Sequence, residues 1–391
     1  MILLELLLTL PIIFLAIPVL LLLAQVIAAI HADTYPLRCV GPRPSVAVLI
    51  PAHNEQINIA ETVAGICSQL VGLDRILVIA DNCSDQTADF ARIAGAIVFE
   101  RNEPERRGKG FALDCGVAQL VENPPDVVVI IDADCSIGSG AIAALALLAQ
   151  ATNRPVQAHY CMLGAAPQNW ATRIAVFAYR VKSYVRPLGY HRFGLPCQLQ
   201  GTGMAFPWKL IESAPLASGQ LVEDMKLGLD LAVQGAAPLF CPSVTVTSQF
   251  PTSQIGVDTQ RTRWEHGHLA MMISDIPRAA WLAIKKRDMM LMALALDGMV
   301  PPIALLALLV FVAGLFGGLL ACVDVWSPVL VSLAVLCAFS AAILLAWWHF
   351  GRSMLALSDL RWAGLYVLLK VPLYIRFLIK RQITWIRTER D

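Results

Sequence analysis

Three long apolar runs limit most strongly how this chain can fold. They are Met1–Ile30, Met289–Cys322 and Val323–Phe350, and each contains one acidic residue and no Lys or Arg. Each run exceeds the roughly 20 apolar residues that a helix needs to cross a bilayer. With 57% hydrophobic and 15% charged residues, the chain is too apolar for an ordinary soluble protein. The first run lacks a basic start and an obvious cleavage site, so we predict an uncleaved membrane anchor.

Basic residues beside these runs predict how the helices are oriented. Residues 285–287 are Lys-Lys-Arg, Arg352 and Arg361 follow the third run, and the turn between the last two runs has no Lys or Arg. Because Lys and Arg are enriched on the cytoplasmic side, we expect a hairpin whose turn faces outward from the inner (plasma) membrane. The predicted domains are an anchor (1–30), a cytoplasmic domain (37–288), a helical hairpin (289–350) and a basic tail (351–391).

Two further segments combine apolar and basic residues. The tail Trp362–Arg390 favours an amphipathic helix at the membrane surface over a fourth crossing. Its basic residues are Lys370, Arg376, Lys380, Arg381, Arg387 and Arg390. The segment Phe177–Pro196 is rich in aromatic and basic residues; it is either a helix and loop resting on the bilayer or a surface helix of the soluble domain.

Charge and cysteine content exclude some classes of function. The net charge is only +1, and its basic residues cluster beside apolar segments, so we expect no nucleic-acid partner. The ten cysteines contain no C-x-x-C pair. In a cytoplasmic domain they are therefore expected to be free thiols, mostly in the core.

The middle segment alternates short β-branched runs with helical patterns. Strands are expected at 45–50, 76–80, 96–99 and 126–131, and helices at 58–70, up to residue 94 and at 110–120. This β-α-β-α order predicts an α/β fold with a doubly wound, Rossmann-like sheet, in which ligands bind at the carboxyl ends of the strands.

Polar residues follow three of these strands. The strands at 45–50, 76–80 and 126–131 run into "PAHNE", "DNCSDQT" and "DADC" respectively. An Asp after a strand often caps the next helix, but three polar motifs in register along one sheet edge predict a site. The two carboxylates of a D-x-D turn can hold a hard divalent cation, which in turn holds a pyrophosphate.

Seven motifs in order carry a resemblance to a known family. They are "PAHNE", "DNCSDQT", "GKGFALD", "DADC", "GTGMAF", "VEDMKLGLDL" and "QRTRW". Behind one membrane helix, this order resembles the membrane-embedded inverting glycosyltransferases of family 2, such as cellulose, chitin, hyaluronan and poly-N-acetylglucosamine synthases and ceramide glucosyltransferases. The resemblance covers about residues 45–272 and implies a GT-A fold, with transmembrane helices at both ends.

The resemblance assigns the donor and its metal. Glu55, Asp81 and Lys109 match positions that hold the uracil and ribose of a UDP-sugar. Asp132 and Asp134 match the D-x-D pair, in which Asp134 is the more direct ligand of Mg²⁺ or Mn²⁺ and Asp132 also contacts the donor.

The resemblance also assigns the base and the acceptor side. Asp224, in the pair Glu223-Asp224, matches the general base that deprotonates an acceptor hydroxyl. Arg263 of the Q-x-x-R-W signature faces the diphosphate, where it and the metal share the developing charge. Gln260 and Trp264 match the acceptor side. The loop Gly201-Thr202-Gly203 either lets backbone approach the acceptor or is a plain turn, and the two acids open a helical pattern whose dipole they also suit.

Two histidines follow the signature. His266 and His268 are two residues apart, which suits a metal site on a strand but not on one face of a helix. Because 264–272 has a helical pattern, we expect hydrogen bonds to the diphosphate or to a neighbouring helix instead of a metal.

The expected function is transfer of a sugar from a nucleotide sugar to a lipid or glycan acceptor, in cell-envelope glycolipid or exopolysaccharide synthesis. Three predicted crossings are few for a polymer channel, so single transfer is favoured over a processive synthase acting with export partners. An inactive scaffold of an export complex is disfavoured by the intact acidic motifs. A nucleotidyltransferase is disfavoured by the Glu-Asp pair, the Q-x-x-R-W signature and the membrane hairpin.

Overall fold

The computed structural model describes residues 2–34, 41–164, 169–251 and 253–381. The predicted start of the cytoplasmic domain at residue 37 and the tail residues Arg387 and Arg390 lie outside this part. The chain forms two compact units. Among the described residues, the helical unit comprises 2–32, 169–193 and 295–381, and the sheet unit comprises 33–34, 41–164, 194–251 and 253–294.

The helices are numbered along the chain. They are α1 (Ile2–Ile30), α2 (Ile59–Cys67), α3 (Thr87–Ile93), α4 (Lys109–Leu120), α5 (Ala141–Thr152), α6 (Trp170–Arg180), α7 (Arg186–His191), α8 (Trp208–Glu212), α9 (Glu223–Val233), α10 (Gln254–Ile273), α11 (Asp275–Lys286), α12 (Met289–Gly298), α13 (Ile303–Ala321), α14 (Ser327–Ala346), α15 (Leu357–Leu360) and α16 (Ala363–Ile379). One π-helical turn, Val181–Val185, joins α6 to α7, and another, Trp347–Gly351, extends α14.

One mixed sheet organises the sheet unit. Its strands are β1 (Val46–Ala52), β2 (Arg75–Asp81), β3 (Ile97–Arg101), β4 (Val127–Ile130), β5 (Ser136–Ile137), β6 (Val156–Leu163), β7 (Met204–Pro207) and β8 (Leu239–Gln249), in the spatial order β3-β2-β1-β4-β7-β6-β8-β5. Strands β1 to β4 pair in parallel, whereas β7 runs antiparallel to β4.

The predicted α/β fold class is confirmed. All four predicted strands are present, with ends shifted by one or two residues. β1, β2 and β4 are apolar on both faces because helices cover the sheet on both sides, and Val127, Val128 and Val129 are fully buried. The edge strand β3 is largely exposed. Because β1, β2 and β4 run parallel to one another, their carboxyl ends lie at the same edge of the sheet. The site described below is at this edge.

Three helices of the described chain are long and apolar enough to cross a membrane: Glu5–Ile30, Ile303–Ala321 and Ser327–Gly351. The prediction that one helix continues from Met289 to Cys322 is wrong. Helix α12 ends at Gly298 and α13 begins at Ile303. Pro301 and Pro302 separate them, because proline lacks the amide hydrogen that a helix interior needs and disfavours helical geometry in the residue before it.

The segment Phe177–Pro196 is not a surface helix of the soluble domain. Residues up to Phe193 belong to the helical unit, and Arg186, Leu188 and Tyr190 of α7 are buried. Inside that unit the Arg186 guanidinium pairs with Asp297 Oδ1 at 2.8 Å. Gln25 Nε2 donates to the same carboxylate oxygen at 2.7 Å. The single acidic residue of the second apolar run is therefore the partner of a buried arginine.

Candidate active site

The loops after β1 and β2 are tied together at the edge of the sheet. His53 Nδ1 donates to the carbonyl oxygen of Asp81 at 2.6 Å, and the amide of Ser84 donates to Asn54 Oδ1 at 2.7 Å. Asn54 and Asn82 both adopt left-handed backbone conformations, with φ of 55° and 51°. Asparagine tolerates this region better than most residues, so the two loops turn sharply at the strand ends. These turns bring Glu55 and Asp81 to one cleft.

Arg101 holds Asp81 in place. Asp81 and Arg101 are register partners at the ends of β2 and β3. The buried Arg101 guanidinium donates from Nη1 to Asp81 Oδ1 at 2.5 Å and to the carbonyl oxygen of Arg106 at 2.8 Å, and from Nη2 to Glu103 at 2.8 Å. Sequence reasoning missed Arg101. The available signal was its position, two residues beyond the apolar part (Ile97–Phe99) of the strand that pairs in parallel with the one ending in Asp81.

Lys109 lies at the start of α4 and joins two parts of the site. Its Nζ pairs with Asp132 Oδ1 and donates to the carbonyl oxygen of Gly201 at 2.8 Å. Burial opposes the charge of Lys109, but Asp132, Glu223 and Asp224 outweigh burial and raise its pKa. Lys109 therefore stays cationic between the D-x-D turn and the acidic pair of α9. There its ammonium group can contact a diphosphate, and it offsets the negative charge of the neighbouring carboxylates.

The D-x-D turn follows β4 directly. The backbone amide of Asp132 donates to Thr202 Oγ1 at 3.0 Å, which links the turn to the loop before β7. Ligand atoms of Asp132, Asp134 and Cys135 all lie within 4.8 Å of one another. Two carboxylates so close together repel each other unless a cation lies between or beside them. The donor set fits a divalent cation, and the Asp132 carboxylate of this set also pairs with Lys109.

Glu223 and Asp224 open α9 as the sequence predicts. Asp224 Oδ1 accepts from the amide of Met225 at 2.8 Å. A Cβ on Gly201 would lie 3.5 Å from Asp224 Oδ2, and Gly201 has a φ of +90°, where a side chain is strained. The positive φ, and not a lack of space, is therefore what favours glycine at this position. Burial and the neighbouring Asp224 raise the pKa of Glu223 to about 7, although Lys109 and Arg263 oppose the rise.

Helix α10 carries the Q-x-x-R-W signature. Arg263 lines the cleft formed by the strand ends, whereas Gln260 is buried at 2% exposure and Trp264 is half-buried. A Cβ on Gly267 would lie only 2.7 Å from Val222 Cγ1. Helix α10 therefore packs closely on the residue that precedes Glu223. Sequence reasoning did not identify this glycine contact, because nothing in the residues nearby marks Val222 as its partner.

The histidines lie inside α10, with His266 fully buried and His268 5% exposed. Among the described residues, the group of potential metal ligands consists of Asp132, Asp134 and Cys135. His266 and His268 are not members of that group. Their contact to a diphosphate or a neighbouring helix stays a prediction.

Two adjoining cavities share Lys109. The first has a water-accessible volume of about 150 Å³ and brings together six of the predicted residues, namely Glu55, Asp81, Lys109, Asp132, Asp134 and Arg263. The second, of about 20 Å³, is lined by Glu223 and Asp224 together with Lys109 and apolar residues of α4 and α9. Gln260, Trp264 and the loop Gly201-Thr202-Gly203 line neither cavity, so the assignment of these residues to an acceptor stays a prediction.

A family model described as "Glycosyltransferase like family 2" matches residues 42–267. The chain belongs to glycosyltransferase family 2. This confirms the resemblance, which rested on motifs within the same part of the chain. The match includes the strand-end loops, the acidic pair of α9 and the signature of α10.

Two curated relatives are similar to this family 2 chain. A probable glycosyltransferase of Bacillus subtilis is 28% identical over 236 residues, covering 58% of this chain and 55% of the relative. A 4,4'-diaponeurosporenoate glycosyltransferase of Staphylococcus haemolyticus is 28% identical over 99 residues, covering 24% of this chain and 25% of the relative. The matches thus span about half and a quarter of the length of these relatives.

A solved structure shares the fold. It is a mannosyltransferase of Pyrobaculum calidifontis in complex with GDP-Man and Mn²⁺, with a TM-score of 0.53 and 17% identity. The comparison covers 94% of this chain and 99% of the mannosyltransferase. Together with the mixed sheet, this likeness confirms the expected GT-A fold.

Proposed function

We propose that this chain is a membrane-bound, metal-dependent, inverting glycosyltransferase. It transfers a sugar from a nucleotide sugar, a UDP-sugar, to a lipid or glycan acceptor at the cytoplasmic face of the inner membrane, in the synthesis of an envelope glycolipid or an exopolysaccharide. The observation that carries the proposal is the position of Lys109. It stands between a cleft lined by the strand-end acids and Arg263 and a second cavity lined by Glu223 and Asp224.

The first cavity suits the donor. Glu55 and Asp81 provide carboxylates for the hydroxyl and amide hydrogens of a nucleoside, and Lys109 and Arg263 provide positive charge for a diphosphate. Asp134 and Asp132 would hold Mg²⁺ or Mn²⁺, which supplies further positive charge to the leaving diphosphate. These cations are hard and prefer carboxylate oxygen.

The second cavity suits the base. Inversion needs one group to accept the proton of the acceptor hydroxyl as that oxygen attacks the anomeric carbon. Asp224 and the cationic Lys109 line this cavity together. Glu223, with its pKa raised to about 7, is the second acid of the pair and modulates the charge beside the base.

The membrane assignment is supported by the three apolar helices and by the basic residues beside them. Three spanning helices in the described chain are few for a polymer channel, which favours single transfer over extrusion.

The test is an assay of the purified full chain in nanodiscs. Radiolabelled UDP- and GDP-sugars are supplied with a bacterial lipid extract and either Mn²⁺ or EDTA. Label in the organic phase that depends on metal supports lipid transfer, whereas a high-molecular-weight product supports polymerisation. Asp224→Asn is expected to lose at least about 100-fold in turnover, while Glu212→Gln, an exposed residue of α8, retains it. Turnover of Asp224→Asn equal to wild type would exclude Asp224 as the base.

A further inference from the structure

Cys135 is the residue of the D-x-D turn that the proposed function does not use. It follows Asp134 directly and is 2% exposed. Its sulfur lies within 4.8 Å of the ligand atoms of both aspartates. The thiol donates to Asp134 Oδ1 at 3.6 Å and accepts from Thr202 Oγ1 at 3.5 Å. Its neighbours are thus the same groups that shape the metal site.

We propose that Cys135 is a third ligand of this metal site, which gives it high affinity for thiophilic cations such as Zn²⁺ and Cd²⁺, and that these cations displace Mg²⁺ or Mn²⁺. The proposal rests on the proposed metal-dependent function. It assigns to the site a stronger preference for zinc-group metals over Mg²⁺ and Mn²⁺ than a site of two carboxylates alone would have.

The geometry supports a sulfur ligand after a small contraction. Zinc binds sulfur at about 2.3 Å and carboxylate oxygen at about 2.1 Å, so the ligand atoms of a tetrahedral site stand about 3.5 Å apart. The three side chains need to approach by about 1 Å from the present 4.8 Å limit. Asp134 and Cys135 are adjacent in the chain and already share a hydrogen bond, so rotation of their side chains achieves most of this movement.

The preference follows from the chemistry of the donor atoms. Mg²⁺ and Mn²⁺ favour oxygen, whereas soft sulfur ligands favour Zn²⁺ and similar metals. When such a cation binds, a metal–sulfur bond forms and the S–H proton leaves to solvent. The hydrogen bond to Asp134 is lost, which frees that carboxylate to bind the same ion. Thr202 continues to hold the turn through the amide of Asp132.

Lys109 is the competing cation. It pairs with Asp132 Oδ1, so an incoming dication either shares that carboxylate or displaces the ammonium. Mg²⁺ gains only oxygen contacts from this exchange. A zinc-group ion also gains the sulfur bond, which makes displacement of Lys109 more favourable for this class of metal.

The experiment is a titration of the full chain in nanodiscs with Cd²⁺, followed by the sulfur-to-cadmium charge-transfer band in the ultraviolet. Wild type is expected to show a band that Cys135→Ser and Cys135→Ala lack. The matched control is Cys241→Ser, which alters another buried cysteine, on β8, whose sulfur contacts Ser243 Oγ at 3.5 Å. This control retains the band. Thermal unfolding of each variant establishes that it is folded.

A second measurement separates this proposal from the proposed function. Binding of Mn²⁺, followed by its paramagnetic resonance signal, is expected in wild type and Cys135→Ser alike and is lost in Asp134→Asn. Zn²⁺ should displace Mn²⁺ from wild type at a concentration at least about tenfold lower than from Cys135→Ser, because the sulfur ligand is missing. Failure of Mn²⁺ to bind would contradict metal dependence. Retention of the cadmium band in Cys135→Ser, or equal displacement by Zn²⁺, would overturn the role of Cys135.

Discussion

Replacing Arg101 by alanine is the sharpest test of how the cleft is built. The Arg101 guanidinium makes three hydrogen bonds, to Asp81, to the carbonyl oxygen of Arg106 and to Glu103. Without Arg101, the buried Asp81 carboxylate keeps one identified donor to its Oδ1, the Asn82 side-chain amide at 2.8 Å. The variant therefore keeps every residue of the family motifs and removes only the support of one of them.

The magnitude follows from burial. The side chains of Arg101 and Asp81 are 5% and 8% exposed. Removing one partner of a buried ion pair costs about 3–5 kcal/mol, because the other charge is left without compensation. For a unit of roughly 150–250 residues, each kcal/mol lowers the melting temperature by about 2–4 °C. We therefore expect Arg101→Ala to lower the melting temperature of the sheet unit by about 10 °C.

Thermal unfolding of the purified full chain, with and without UDP, measures this effect. The matched control is Arg92→Ala, because Arg92 also pairs with two acids but is 45% exposed and its partners Asp89 and Glu100 are 70% and 61% exposed. Exposed pairs contribute little, so this control should unfold almost as wild type does. UDP should bind more weakly to Arg101→Ala only. If the two variants unfolded at the same temperature, the support that Arg101 gives to Asp81 would be refuted.

Three further predictions concern single residues. Glu223 has its pKa raised to about 7, so its ionisation destabilises the folded chain as pH rises from about 4.5 to 7. Glu223→Gln should therefore raise the melting temperature more at pH 8 than at pH 5, and an equal effect at both would contradict the raised pKa. Asp297→Asn should destabilise the helical unit by about 3 kcal/mol, whereas Asp324→Asn, in an exposed turn, should not; equal melting temperatures in detergent would argue against the buried pair. Gly267→Ala should cost about 1–3 kcal/mol by overpacking and lower turnover, whereas Gly219→Ala has open space and should be neutral; normal turnover and melting temperature of Gly267→Ala would show that α10 adjusts freely.

The sequence predicts the part of the site that follows from strand order. Glu55, Asp81 and Asp132 each come after an apolar β-branched run, and parallel strands bring such positions to one edge. The strand order alone is therefore enough to predict that these three residues line one cleft. Lys109 belongs to the motif "GKGFALD" and lies at the start of α4. The structure pairs it with Asp132, a contact that the sequence does not predict.

Residues that support the site are harder to predict. Arg101 reaches Asp81 because the β2–β3 register aligns the two positions, and a shift of one residue would turn the side chain to the other face. Gly267 contacts Val222 across 45 positions of sequence, and only the packing of α10 decides which residue it meets. Neither contact has a local signature, since both depend on how separate elements pack.

The error in the membrane region has a different cause. A search for long runs with few charges joins Met289 to Cys322, because proline is not charged and two prolines hardly change the mean hydropathy. Backbone hydrogen bonding, not hydropathy, ends α12 before Pro301 and Pro302. Asp297 lies in the last turn of α12 and pairs with Arg186. Asp297, the one charged residue of this apolar run, therefore forms a specific ion pair inside the helical unit.

The geometry of α10 explains why its signature and the acidic pair belong together. Arg263 and Gly267 are four residues apart, so they lie on the same face of the helix. Arg263 reaches the cleft of the strand-end acids, while Gly267 lets this face pack against Val222, the residue before Glu223. One helical turn therefore sets the distance between Arg263 and the acidic pair of α9. A larger residue at position 267 would push α10 away from Val222, and would thereby move Arg263 away from Glu223 and Asp224.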